Sequence, residues 1–211
     1  MTWKLGMPHN VWIVGVLVGI ICHGSVVRAE PPPAAVEHVY LTSEQAMHQA
    51  FPTAASVTRE TRSVSPAVRQ QIARRIGFRL RDSVATVLIA RSASGVLGYG
   101  MQGEEKGKYY PITFFVATDP ACSVRQVTVL VYRESRGDAV RRDQFLSQFR
   151  GKTPRDALAI DRDLVHVSGA TMSSWAMAAG VRRVVATLAA LYGAAPPSVQ
   201  SRSPASPAHA R

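Results

Sequence analysis

The sequence is poor in residues that define several classes of protein. It has only two cysteines in 211 residues, Cys22 and Cys122, which excludes a disulfide scaffold and a cysteine-based zinc module. Its 14 acidic residues stand against 25 lysines and arginines, a formal net charge of +11. Wholesale disorder is excluded as well, because a hydrophobic fraction of 46% is enough to build a core.

The sequence also lacks a clear membrane span. Its main apolar run, Val11–Cys22, is shorter than the roughly 20 residues that a bilayer requires. Lys4 precedes this run, and Val27 and Ala29 are small residues ahead of a cleavage point. We expect residues 1–29 to be an export signal, with an uncleaved membrane anchor as the alternative if the apolar run is counted on to Val27.

The composition of both ends predicts one folded domain between them. Residues 30–37 contain three consecutive prolines and are expected to form a short linker. Residues 193–211 hold four prolines and four serines without apolar periodicity, which is typical of a disordered tail. The expected domain is therefore 38–192, and Cys122 is expected to be a buried, unpaired cysteine within it.

Hydrophobic periodicity and capping residues predict an α+β fold. Helices are expected at Thr42–Phe51, Pro66–Ile76, Asp143–Phe149 and Ser173–Tyr192. Strands are expected at Val57–Val64, Ser83–Ala90, Val96–Met101, Pro111–Thr118 and Val124–Tyr132. Short gaps between the strands favour hairpins over crossovers, so the prediction is an antiparallel sheet flanked by helices.

Several catalytic and metal-binding motifs are absent. The sequence has no HExxH, no paired CxxC, no glycine-rich nucleotide loop and no GxSxG elbow. His38, His48 and His166 are the histidines of the expected domain, and they share no ligand spacing. We therefore expect no metal site and assign no catalytic residue.

One stretch of small residues, Ser168–Ser174, stands out before the final helix. Gly169 and Ala170 would let the backbone approach a bulky anion, and Thr171 would lie directly beside it. Unpaired N–H groups at a helix start favour phosphate. On these residues alone, a helix start capped by Ser173 or Ser174 is the better explanation.

The same stretch, S-G-A-T-M-S-S, resembles the S-G-A-T-x-[ST]-S signature of FMN-binding domain proteins. That family includes flavin-carrying subunits of the sodium-translocating NADH:quinone reductase and of the Rnf electron-transport complex, together with NosR periplasmic domains. Gly98–Gly100, Tyr110–Phe114, Asp119 and Glu134–Gly137 follow the family's order. The similarity covers roughly residues 83–191.

The resemblance implies a covalent cofactor. In the family a flavin transferase esterifies the motif threonine to the FMN phosphate, which places the flavin on Thr171. The implied cofactor-binding residues of this chain are Thr171, Ser168, Gly169, Ala170, Ser173, Glu134, Ser135, Gly137 and Tyr110. Family members commonly carry an acid six residues before that threonine, where this chain has Val165, with Asp163 two residues further back.

Other residues near the expected flavin have two interpretations. Lys108, Arg133 and Arg136 are candidates for stabilising the anionic reduced ring, and Tyr109, beside the preferred Tyr110, is a second candidate for stacking on it. Each of these cations is equally well explained as a solvated surface charge.

The resemblance also implies a function and partners. The expected protein is an exported flavoprotein, periplasmic or on the outer face of the membrane, and an electron carrier more than a stand-alone enzyme. Its partners would be the flavin transferase and a membrane redox complex or quinone-linked donor or acceptor. A noncovalent flavin or ligand-binding module is the alternative, and the export signal argues against nucleic acid despite the charge.

Overall fold

In the computed structural model, which describes residues 34–80 and 82–193, the chain forms an antiparallel sheet with helices on both faces. The strands are β1 (His38–Val39), β2 (Ser56–Ser63), β3 (Val84–Ser92), β4 (Gly95–Lys106), β5 (Pro111–Thr118) and β6 (Val124–Tyr132). The helices are α1 (Ser43–Ala50), α2 (Pro66–Ile76), α3 (Asp143–Leu146) and α4 (Thr171–Tyr192). The expected α+β fold is confirmed.

The strand order is β1-β6-β5-β4-β3-β2, and each neighbouring pair is antiparallel. β5 is central, and every residue from Ile112 to Thr118 is buried because both faces of the strand are covered. Phe114 and Val116 point into a large core with α2 and α4, while Phe115 and Ala117 point into a smaller core with α1. α4 therefore lies on the opposite face of the sheet from α1.

Two helices begin with the caps that their sequences predict. Thr42 and Gln45 form a reciprocal capping box at α1, each side chain bonding the other residue's backbone N–H. Ser65 accepts from the Val68 N–H at the start of α2, with Pro66 in its first turn.

The observed elements differ from the expected ones in four places. β1 was not expected, and it is a two-residue edge strand paired with β6. β4 continues five residues beyond Met101 to Lys106, because β5 pairs with it there despite its glycines and charges. The third helix ends at Leu146 and is followed by a 3-10 turn, Ser147–Phe149. α4 begins at Thr171, two residues earlier than expected.

The expected export signal and tail lie outside the described residues, apart from Gly193, which follows α4. Cys122 is buried and unpaired, and burial, followed by the nearby Asp119, raises the pKa of its thiol to about 11. Within residues 34–80 and 82–193, no helix is long and apolar enough to cross a membrane.

Candidate functional site

Thr171 occupies the first position of α4 and is exposed to solvent. The residue before it, Ala170, is the N-cap and has no side chain that could bond the first-turn amides. The first turn also contains no acidic residue. The positive end of a 22-residue helix therefore lies open beside the Thr171 side chain.

The two motif serines do not cap the helix, so that expectation was wrong. Both side chains are buried: the Ser173 hydroxyl lies 3.0 Å from the Tyr132 hydroxyl, and the Ser174 hydroxyl donates to the Ala170 carbonyl at 2.9 Å. The N–H of Val167 donates to the same Ser174 oxygen. Both hydroxyls are thus engaged in the fold, which leaves the first-turn amides to an outside partner.

The first backbone bond of α4 runs from the Ser174 N–H to the Ala170 carbonyl. The N–H groups of Thr171, Met172 and Ser173 precede it and have no acceptor among the described residues. Three unpaired donors at a helix start form the kind of site that binds a phosphate.

Ser168 and Gly169 form an exposed turn ahead of these amides. Gly169 has a φ of +76°, a left-handed conformation that disfavours a side chain. A Cβ at this position would meet no atom within 4 Å. The glycine is thus required by the turn, and the space beside it is open.

The loop after β6 packs against the start of α4. The Tyr132 hydroxyl donates to the Arg136 carbonyl at 2.7 Å, so Ser173 is the donor in its contact with Tyr132. Burial raises the pKa of the Tyr132 phenol, with the Ser173 bond acting in the opposite direction. Gly137 lies so close that a Cβ there would be 2.7 Å from the Tyr132 oxygen. Tyr132 is a site residue that sequence reasoning missed, because strand periodicity carries no signal for the partner of its hydroxyl.

Glu134 connects this loop to the β4–β5 turn. The side chain is only 7% exposed, and Oε1 accepts the N–H groups of Tyr109 and Tyr110 at 2.8 and 3.2 Å. That oxygen therefore holds the turn that carries Tyr110. Ser135 is exposed on the surface beside it. The fold thus brings the expected site residues of β6, the β4–β5 turn and α4 to one end of the sheet.

The three candidate cations are not equivalent. Arg133 donates to the Pro111 carbonyl and the Thr113 hydroxyl and pairs with Glu37 at 3.4 Å, so its guanidinium is engaged in the sheet. Lys108 lies over the Tyr109 ring. The Arg136 side chain is exposed without a partner among the described residues, which makes it the cation free to meet a ligand.

The segment before the motif has no substitute for the missing acid. Val165 is 69% exposed, and Gln148 bonds both its N–H and its carbonyl. Asp163 accepts the N–H groups of Leu158 and Ala159 and pairs with Lys152 at 3.3 Å. Burial raises the pKa of Asp163, but these bonds outweigh it and the net pKa is lowered. Asp163 thus remains ionised in a structural role.

Large apolar side chains are exposed around Thr171. Met172 is 57% and Trp175 48% exposed, and Val165 and Tyr109 are exposed as well. Trp175 is four residues after Thr171 and so lies on the same side of α4. Exposed apolar surface beside an open anion site suits a ligand with an anionic group and a flat apolar ring. The described residues contain no group of three or more histidine, cysteine, aspartate or glutamate side chains that could hold a metal ion.

The comparisons with known proteins agree with the motif. Residues 107–186 match the family model of the FMN-binding domain. No curated protein matches the sequence. Among solved structures, NqrC of Shewanella oneidensis is 16% identical, with a TM-score of 0.44, and the match covers 75% of this chain and 82% of that one. The corresponding component of the Na(+)-translocating NADH-quinone reductase of Parabacteroides distasonis is 13% identical, with a TM-score of 0.40 and coverages of 73% and 83%.

Proposed function

Because residues 107–186 form an FMN-binding domain and FMN is its cofactor, we propose that the protein holds FMN through a phosphoester at Thr171 and carries electrons. The observation that carries this proposal is the uncapped start of α4, where three unpaired N–H groups accompany an exposed threonine hydroxyl. The bound flavin would supply one- or two-electron chemistry. The protein would supply its attachment, orientation and electrostatic surroundings.

The phosphate end of the flavin fits this place for two independent reasons. The helix dipole and the amides of the first turn stabilise negative charge there. Neither motif serine competes, since Ser173 is engaged with Tyr132 and Ser174 with Val167 and Ala170. The Thr171 hydroxyl thus remains as the exposed hydroxyl of the first turn, available for esterification.

The ring end of the flavin fits the surface around Thr171. Trp175 and Met172 offer apolar and aromatic area, and Arg136 lies on the loop that Tyr132 fastens to α4. A cation beside the ring stabilises its reduced anion, which would raise the reduction potential. The surface is open, so a redox partner could approach the ring directly.

A noncovalent flavin is the second candidate, and Val165 is the observation that favours it. The position where family members commonly carry an acid holds an exposed valine, and Asp163 is engaged with Lys152. The same surface would then bind FMN through the helix amides alone.

The first prediction separates these candidates with Thr171→Ala and a matched Thr171→Ser variant. Each is co-expressed with a flavin transferase, denatured, and examined by in-gel flavin fluorescence and peptide mass. We expect the wild type to carry FMN minus water on the Thr171 peptide, the serine variant to retain some, and the alanine variant to carry none. Complete release of flavin from denatured wild type would select the noncovalent candidate.

We further propose that the protein works outside the cytoplasm with a membrane redox complex or a quinone-linked partner. The support is the signal-like composition of residues 1–29, together with the advantage of a covalent cofactor where lost flavin would be diluted. Fractionation of cells that express the full chain tests this placement. Recovery of all the protein in the cytoplasm would refute it.

A further inference from the structure

We propose that a second, arginine-lined site on this domain binds a phosphate-type anion. The site is a cavity of about 280 Å³ between the C-terminal end of α2, the middle of α4 and the loop 154–162. Four of its lining residues are arginines, namely Arg75, Arg155, Arg162 and Arg182, and Asp156 is the one acid among them.

Two of the arginines are held in place by backbone carbonyls. Arg75 donates through Nε to the Pro154 carbonyl at 3.0 Å, and Arg182 donates to the Arg75 carbonyl at 3.2 Å. Each bond uses one of the five N–H donors of a guanidinium, so the others remain available. These bonds also tie α2, α4 and the loop together around the cavity, which preorganises its cationic groups.

The acids of the surrounding loop are engaged elsewhere. Asp156 accepts both the N–H and the hydroxyl of Thr153 at 2.7 Å, and these bonds lower its pKa. Asp161 lies 3.8 Å from His166, and Asp163 pairs with Lys152.

None of the four arginines forms an ion pair with a described residue. Like charges gathered without counterions repel one another, and a bound anion would relieve that repulsion.

The chemistry and the volume indicate the class of ligand. Planar guanidinium groups bind phosphate oxygens in bidentate fashion, and the cavity can hold a phosphate or a diphosphate. A single carboxylate would leave most of the positive charge uncompensated. Soluble phosphates and the headgroups of anionic lipids share this chemistry.

The site is separate from Thr171. Arg182 follows Thr171 by 11 residues on α4, a rise of about 16 Å along the helix axis. The anion bound here is therefore not the FMN phosphate held at the start of α4. Failure of this proposal would leave the proposed flavin attachment untouched, and failure of the flavin proposal would not affect this one.

The test uses the full chain and the double variant Arg155→Gln/Arg162→Gln, which removes two cations that bond no described residue. The matched control is Arg74→Gln/Arg142→Gln, an equal charge change at exposed residues outside the cavity. Circular dichroism verifies the fold of each. One arm titrates inorganic pyrophosphate by calorimetry, and the other measures sedimentation with vesicles of phosphatidylglycerol against phosphatidylcholine.

We expect binding to weaken at least about tenfold in the cavity variant and to change little in the control. Pyrophosphate binding with this pattern identifies a soluble phosphate as the source, and vesicle binding with this pattern identifies a lipid headgroup. Absence of binding in both arms would overturn the proposal. So would an equal loss in the control, because it would mean that general surface charge suffices.

Discussion

The first turns of α1 and α4 satisfy their backbone N–H groups in different ways. At α1 the Thr42 and Gln45 side chains bond the backbone reciprocally, and Glu44 adds a negative charge near the positive end. At α4 the N-cap is Ala170, the first turn has no acid, and the nearby serine hydroxyls are turned inward.

This difference shows what each helix start is built for. α1 completes its own hydrogen bonding within the local sequence and presents no site for an anion. α4 leaves the same groups open, although a serine at position 170 would have closed them at little cost. An open helix start is a stability loss that bound phosphate recovers, which agrees with an FMN-binding domain over residues 107–186.

Giving α4 a charged cap should break the comparison most strongly. In Ala170→Asp, a carboxylate would compete for the open amides and repel the FMN phosphate, so covalent flavin loading should fall several-fold. Flavin absorbance per mole of denatured protein measures the loading. Ala170→Asn, of equal size but neutral, should lose less. Equal loss in the two variants would mean that steric crowding of buried Ala170 is the cause.

Removing the hydroxyl that fastens α4 to the β6 loop should have the next largest effect. Tyr132→Phe leaves the buried Ser173 hydroxyl and the Arg136 carbonyl without their partner, and should lower the free energy of unfolding by about 1–3 kcal/mol. Urea denaturation measures the change.

The raised pKa of Tyr132 adds a pH dependence to this comparison. Stability from the neutral phenol is complete below pH about 10 and is lost as the pH rises through the folded-state value. The wild type should therefore lose more of its advantage over Tyr132→Phe in alkali. An advantage that stays constant up to pH 11 would contradict this account of the phenol.

Removing the α1 cap should affect stability without affecting the flavin. Thr42→Ala breaks the capping box and should lower the free energy of unfolding by about 1 kcal/mol. Flavin loading should remain at the wild-type level, since α1 lies on the opposite face of the sheet from α4. A matched loss of flavin would show that loading follows global stability and not the start of α4.

Restoring an acid before α4 should produce the smallest change and in the opposite direction. Val165 is exposed and contacts Gln148 through its backbone, so Val165→Asp should be tolerated by the fold. We expect a modest rise in the covalently loaded fraction with a flavin transferase, measured by intact mass. Val165→Asn provides the uncharged control, and an equal rise there would show that charge is not the cause.

Sequence patterns predicted β5 well and β4 only in part. β5 has the predicted bounds, Pro111–Thr118, because its apolar residues stop at the turn signal Asp119-Pro120. The second half of β4, residues 102–106, consists of polar, charged and glycine residues and has no strand pattern of its own. It is a strand because residues 111–115 of β5 pair with it, a contact that no local pattern encodes.

The candidate site divides in the same way. The motif Ser168–Ser174 and the loop Glu134–Gly137 are visible in the sequence, and the structure places both at one end of the sheet. The start of α4 was misplaced by two residues because serines are common caps. The contact that diverts Ser173 comes from Tyr132, 41 residues earlier.

The sequence by itself determined the fold class, the caps of α1 and α2, and the threonine that starts the last helix. These follow from periodicity and from hydrogen bonds between residues a few positions apart. Only the tertiary structure decided which hydroxyls remain free at α4, that Glu134 holds the turn of Tyr110, and that arginines from three segments surround one cavity. Those contacts join residues far apart in the chain, and they depend on the register of the sheet and the packing of α4 against it.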